Sequence, residues 1–73
     1  MKLRRFVICI GNSGYAASLE PRKIYECLPD DDAEAHQLLR VIDESGEDYL
    51  FPASLFVAID LPKNVQLAIV KAA

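Results

Sequence analysis

Four carboxylates crowd into five positions at Asp30-Asp31-Asp32-Ala33-Glu34, and the single histidine, His36, follows two residues later. Such a cluster is a natural place to look for a divalent cation. A calcium loop, however, alternates its oxygen ligands along the chain and needs a glycine for its bend. Here three aspartates are adjacent and the run holds no glycine. The pattern fits a solvated loop whose acids favour the N-terminus of one short helical turn. On this reading no metal is assigned, and loose divalent binding is left open.

Nucleophilic chemistry has one candidate, Ser13 in Gly11-Asn12-Ser13-Gly14. A nucleophile elbow needs a glycine two residues after the serine, and that position is Tyr15. No spacing ties His36 to Ser13 as its base. The same four residues lack the Gly-Lys-Ser/Thr ending of a phosphate loop and the third glycine of a dinucleotide fingerprint. They are read as a turn. Glu44, Glu47 and Asp48 form another acidic group, at a hairpin tip where exposure leaves nothing to shift a carboxyl pKa. Cys9 and Cys27 lack zinc-ligand spacing and sit in apolar runs, so they are expected to be reduced core thiols. The residues thus assign no catalytic group, metal or cofactor, and the expectation is not an enzyme.

The elements that position these residues are mostly strands. The 73 residues are 52% hydrophobic and 26% charged, with a net charge of −3, which is ordinary for one globular domain of modest stability. The β-branched run at residues 3–10 reads as a first strand, and residues 11–14 stop it. Pro21 makes residues 15–21 an irregular loop. Residues 22–28 form a second strand, in which both alternating sets carry apolar groups. After Pro29 and the acidic turn come a third strand at 37–43, a tight turn with Gly46 at positive φ, and a fourth strand at 48–51. A 3₁₀ turn at 52–55 leads to a fifth strand at 56–60. The tail is a helix from about 62 to 72, with Pro62 in the first turn. Val65, Ala68, Ile69 and Ala72 form its apolar stripe, and Leu67 and Val70 lie off it.

The central stretch, Leu38-Leu39-Arg40-Val41, then Asp43-Glu44-Ser45-Gly46-Glu47, then Leu50-Phe51-Pro52-Ala53-Ser54-Leu55-Phe56, resembles the second half of an SH3 domain. The resemblance implies a mainly β fold: one SH3-like domain over residues 1–73, a five-stranded barrel at about 3–60 with a short C-terminal helix packed across it. It also implies that Ile8, Val41, Phe51, Phe56 and Ala58 face the barrel core. SH3 domains bind proline-rich peptides on aromatic grooves. Here Leu38 stands where the groove tryptophan is expected, Leu55 where a tyrosine is expected, and Ile10 and Asn12 where two more are; only Pro52 matches. Tyr15, Leu38, Pro52 and Leu55 are therefore the partner-binding candidates by position. The whole chain is also similar to short bacterial proteins that carry NSxYxASLExRKxY and DESGEDYLYP-like segments. That resemblance implies a bacterial origin and no particular activity.

The function class that follows is a non-enzymatic module binding a protein, through the barrel face or by homodimerising through the C-terminal helix. The alternative is a nucleic-acid-binding barrel using Lys2, Arg4, Arg5, Arg22 and Lys23. The pI near 4.9 opposes it, because phosphate binding draws on a basic surplus. The apolar run Phe6 to Ile10 is shorter than a signal peptide's core, and no stretch approaches a membrane span, so the expected setting is the cytoplasm.

Overall fold

The computed structural model describes residues 5–72. Leu3, Arg4 and Ala73, which the sequence assigns to the first strand and the tail, lie outside these, as does Lys2. Five strands, β1 (Arg5–Cys9), β2 (Ile24–Leu28), β3 (Leu38–Ile42), β4 (Asp48–Pro52) and β5 (Phe56–Ile59), form one sheet. Its order is β4-β3-β2-β1-β5, with every pairing antiparallel. A five-residue helix α1 (Asp31–Ala35) joins β2 to β3, and a ten-residue helix α2 (Lys63–Ala72) follows β5. A 3₁₀ turn at Ala53–Leu55 carries β4 into β5. The fold is mainly β with a C-terminal helix, as expected. The sheet is open: among the described residues β4 and β5 are its edges, with no ladder joining them.

Each local element has a visible cause. Asp30 caps α1 by accepting the Ala33 backbone N–H at 3.0 Å, satisfying a donor the helix cannot pair internally. The β3–β4 hairpin is closed by Asp43 N–H to Glu47 O and Gly46 N–H to Asp43 O, both 3.0 Å. Gly46 sits there at φ +85°, the left-handed position a three-residue hairpin loop requires. Asp43 is itself buried, and its Oδ1 accepts the Ser45 N–H at 2.8 Å and the Ser45 hydroxyl.

The main core cluster lies on one face of the sheet, while Phe6, on the other face of β1, is buried as well. Val7, Cys9, Tyr25, Cys27, Val41, Phe51 and Phe56 form that cluster together with Leu19. Phe51 meets Phe56 and Tyr15 edge-on, with ring centroids 6.3 and 5.2 Å apart, a favourable aromatic geometry. Two expected core residues lie elsewhere. The period of two along β1 puts Ile8 on the face opposite Val7 and Cys9, paired with Val57 and Ile24. Ala58 does share the core face with Val7 but is exposed, because β5 is an edge strand among the described residues.

Residues 15–21 hold no helix or strand, as expected, but the loop is an ordered set of turns. Tyr15 O accepts the N–H groups of Ser18 and Leu19, both at 2.9 Å, and Asn12 O accepts that of Tyr15 at 2.7 Å. The Asn12 side-chain amide donates back to Leu19 O at 3.0 Å. This clamp drives Leu19 into the core, where it is fully buried.

The helix α2 also differs from expectation. None of its side chains is buried. Its half-buried face is Val65, Gln66, Ile69 and Val70, while Ala68 and Ala72 of the expected stripe are exposed. Alanine offers little area to bury, so the larger Ile69 and Val70 decide which way the helix faces. It leans on the second face of the sheet without closing on it.

Candidate binding surface

The four partner-binding candidates fall around the turn between β4 and β5. Leu38 pairs directly with Pro52 across the β3–β4 ladder. Pro52 precedes the 3₁₀ turn and Leu55 ends it. Tyr15 approaches from the 12–19 turn and stands edge-on to Phe51. All four are half-buried. They form two pairs: Leu38 and Pro52 on the face opposite Leu39 and Phe51, and Tyr15 and Leu55 packed against the core cluster. The last two therefore serve the core as well as any surface. Ile10, by contrast, is 59% exposed and donates its backbone N–H to Leu55 O at 2.8 Å.

The charged residues are largely paired with one another. Arg40 bridges Asp30 at 2.8 Å and Asp48 at 3.0 Å. Arg5 pairs with Glu34. These guanidinium partners and the capping N–H groups hold the Asp30 and Glu34 carboxyls below their ordinary range. Two of the four acids in the 30–34 run are thus structural, one as a cap and both as ion-pair partners. Among the described residues no group of three or more His, Cys, Asp or Glu side chains converges as a metal site. Of the basic residues considered for phosphate contact, Arg5 faces Glu34, and Lys23 faces Glu44 at 2.6 Å.

Glu44 is the hub of a second network. It accepts hydrogen bonds from Lys23 Nζ at 2.7 Å and from the Tyr25 hydroxyl at 2.6 Å. The same hydroxyl accepts the Glu20 backbone N–H at 2.7 Å, and the Glu44 N–H donates to Ser18 O at 3.1 Å. Burial and the adjacent carboxylate push the Tyr25 phenol well above its usual value. Lys23, with the Tyr25 hydroxyl, holds the Glu44 carboxyl low. A neutral phenol bonded to a committed carboxylate is a fastening, and it ties residues 18–25 to the β3–β4 hairpin.

Cys9 and Cys27 are both free and buried. Cys9 lies opposite Lys23, to whose carbonyl its N–H donates at 2.9 Å, whereas Cys27 pairs with Arg5. Four strand positions separate them, roughly 13 Å at the usual rise, well beyond disulfide reach. Burial raises the Cys27 thiol pKa, against the opposing influence of Arg5.

A cleft of about 630 Å³ lies between the C-terminal half of α2 and the second face of β2 and β3. Ile24 and Ile42 line it from the sheet and Ile69 and Val70 from the helix, with Arg22, Lys23, Glu26 and Glu44 also lining it. Sequence reasoning missed this feature. Its signal was present: β2 carries apolar groups on both alternating sets, so its second face also needs a cover. No family model matches the chain, and neither a characterised protein nor a solved structure does. No helix among the described residues is long and apolar enough to cross a membrane.

Proposed function

We propose that this chain is a non-enzymatic protein-interaction module on an SH3-like small barrel opened between β4 and β5. The strand order, with β5 returning beside β1 after a 3₁₀ turn, supports the fold half of this reading. The observation that carries the function half is the half-buried pair Leu38 and Pro52 beside that turn, on the face away from the core, with Leu55 and Tyr15 bracing the turn from the core side. Half-buried apolar side chains on a rigid turn supply contact area at little ordering cost. With no tryptophan in the chain, the partner surface is aliphatic rather than the aromatic groove that reads proline-rich helices. The proposed setting is the bacterial cytoplasm, where two buried thiols stay reduced.

The test uses Leu38→Glu, which places a carboxylate beside Pro52 without touching the core cluster. Urea unfolding checks that the variant folds. Affinity capture with wild type and variant side by side is then expected to show a protein partner lost only in the variant. A partner held equally by both removes this surface from the proposal. Recovery of nucleic acid alone, released by salt, replaces it with the phosphate-binding reading through Arg22 and its basic neighbours.

A further inference from the structure

We propose that β5 is a self-association edge, and that two copies of the chain pair β5 to β5 antiparallel about Ala58, joining their sheets into one. The argument starts from the backbone. Ile10 N–H bonds to Leu55 O, and the β1–β5 register pairs Ile8 with Val57 and Phe6 with Ile59. In an antiparallel ladder, hydrogen-bonded pairs alternate with non-bonded ones. Leu55, Val57 and Ile59 therefore turn their polar groups toward β1, and Phe56, Ala58 and Asp60 turn theirs outward. The Phe56 N–H is already taken by Ala53 O. Among the described residues, what remains on the edge is Phe56 C=O, Ala58 N–H, Ala58 C=O and Asp60 N–H.

That set is self-complementary. A two-fold axis at Ala58 lets each Ala58 N–H donate to the Ala58 carbonyl of the other copy, and each Asp60 N–H donate to the other Phe56 carbonyl. All four groups are used. The side chains agree with the backbone, since the same register sets Val57, 48% exposed, beside Ile59 of the second copy. Strand edges are ordinarily blunted by charge, proline or a bulge. The strand β5 reads Phe-Val-Ala-Ile, with none of these, and the one charge in the paired stretch, Asp60, stands at its end.

The opposite edge shows what blunting looks like here. On β4 the outward groups belong to Asp48, Leu50 and Pro52, because Asp43 N–H to Glu47 O and Ala53 N–H to Gln37 O fix the parity. Pro52 has no N–H to offer, and Asp48 carries a charge bonded to Arg40. One edge is protected and the other is not, so pairing at β5 closes as a dimer and does not propagate. The short strand makes a small interface, and the dimer is correspondingly weak.

The experiment is sedimentation equilibrium over a concentration series, with amide hydrogen exchange at its two ends. The expected average mass rises from 8.1 kDa toward twice that value. The Ala58 and Asp60 amides should slow about tenfold at the concentrated end, while Val57 and Ile59, already bonded to β1, should not change. Val57→Lys, checked for an unchanged urea midpoint, should weaken the dimer by about tenfold or more. Ala58→Pro should abolish it by removing the central donor. A monomer up to about 1 mM overturns the proposal. So does a dimer whose concentration-dependent protection falls on α2, or one that both variants leave intact.

Discussion

Replacing Leu19 by alanine tests the central structural claim about the 12–19 turn, that it belongs to the core. The Leu19 side chain is fully buried among Val7, Cys9, Tyr25, Cys27, Val41, Phe51 and Phe56. Removing most of a buried leucine costs its transfer free energy plus the cavity left behind, together about 2–5 kcal/mol. At roughly 0.05–0.15 kcal/mol per residue, a chain of 73 residues has about 4–11 kcal/mol in all. Leu19→Ala should therefore remove roughly a fifth or more of the stability. Near 4–8 °C per kcal/mol, that is a fall in Tm of at least about 8 °C. Urea unfolding measures the loss, and Leu67→Ala, at a side chain 50% exposed, is the control expected to stay within about 0.5 kcal/mol. Asn12→Ala removes the amide that holds Leu19 O and should cost about 1 kcal/mol. The double variant should cost less than the sum, because both act on the placement of one residue. A Leu19→Ala cost below about 1 kcal/mol would refute the claim that this turn is part of the core.

Acid should destabilise the chain. The Asp30, Glu34 and Glu44 carboxyls are held low by their cationic and N–H partners, so their contribution is present above the unfolded values near 4 and disappears as pH falls through the folded ones. The Cys27 and Tyr25 groups are raised mainly by burial, so their contribution is complete below the unfolded values, near 8.5 and 10, and fades as pH rises above them. The urea midpoint is expected to be flat between about pH 6 and 8 and to fall on both sides, and a midpoint that rises toward pH 4 contradicts the pairings. Cys9 and Cys27 should react with a thiol reagent only at the rate of unfolding, and native-state labelling of both within seconds would place them outside the core. A ten-residue helix with no buried side chain is marginal alone. The α2 amides should accordingly exchange far faster than those of β1 and β2, and equal protection would mean that the helix is docked.

Much of the chain's order was legible because turn chemistry is local. Gly46 at positive φ, one helical turn in the acidic run after Pro29, a 3₁₀ turn after the fourth strand and all five strands follow from residues within a few positions of one another, although the 3₁₀ turn begins at Ala53 and leaves Pro52 in β4. The misreadings fall where long-range contacts decide. Pro21 marked a break correctly, but nothing local said that Asn12 would reach across to Leu19 O. The aspartates of residues 30–34 looked like one cluster because adjacency is visible in a sequence. Their partners, Arg5 and Arg40, come from two different strands.

By itself the sequence determined a mainly β chain with a helical tail, through the period-two alternation of β-branched and aromatic residues and the punctuation by Gly and Pro. It determined that core thiols were available, and that the net charge of −3 suits nucleic acid poorly. Only the tertiary structure decided which face of β1 is the core, that Ala58 stands on an open edge, and that Glu44, Tyr25 and Lys23 form one network. It alone shows α2 resting over a cleft on the second face of the sheet. The reason is physical. Strand periodicity states that two faces exist, but not which one its neighbours will cover. An edge is defined only by the strand that is not there.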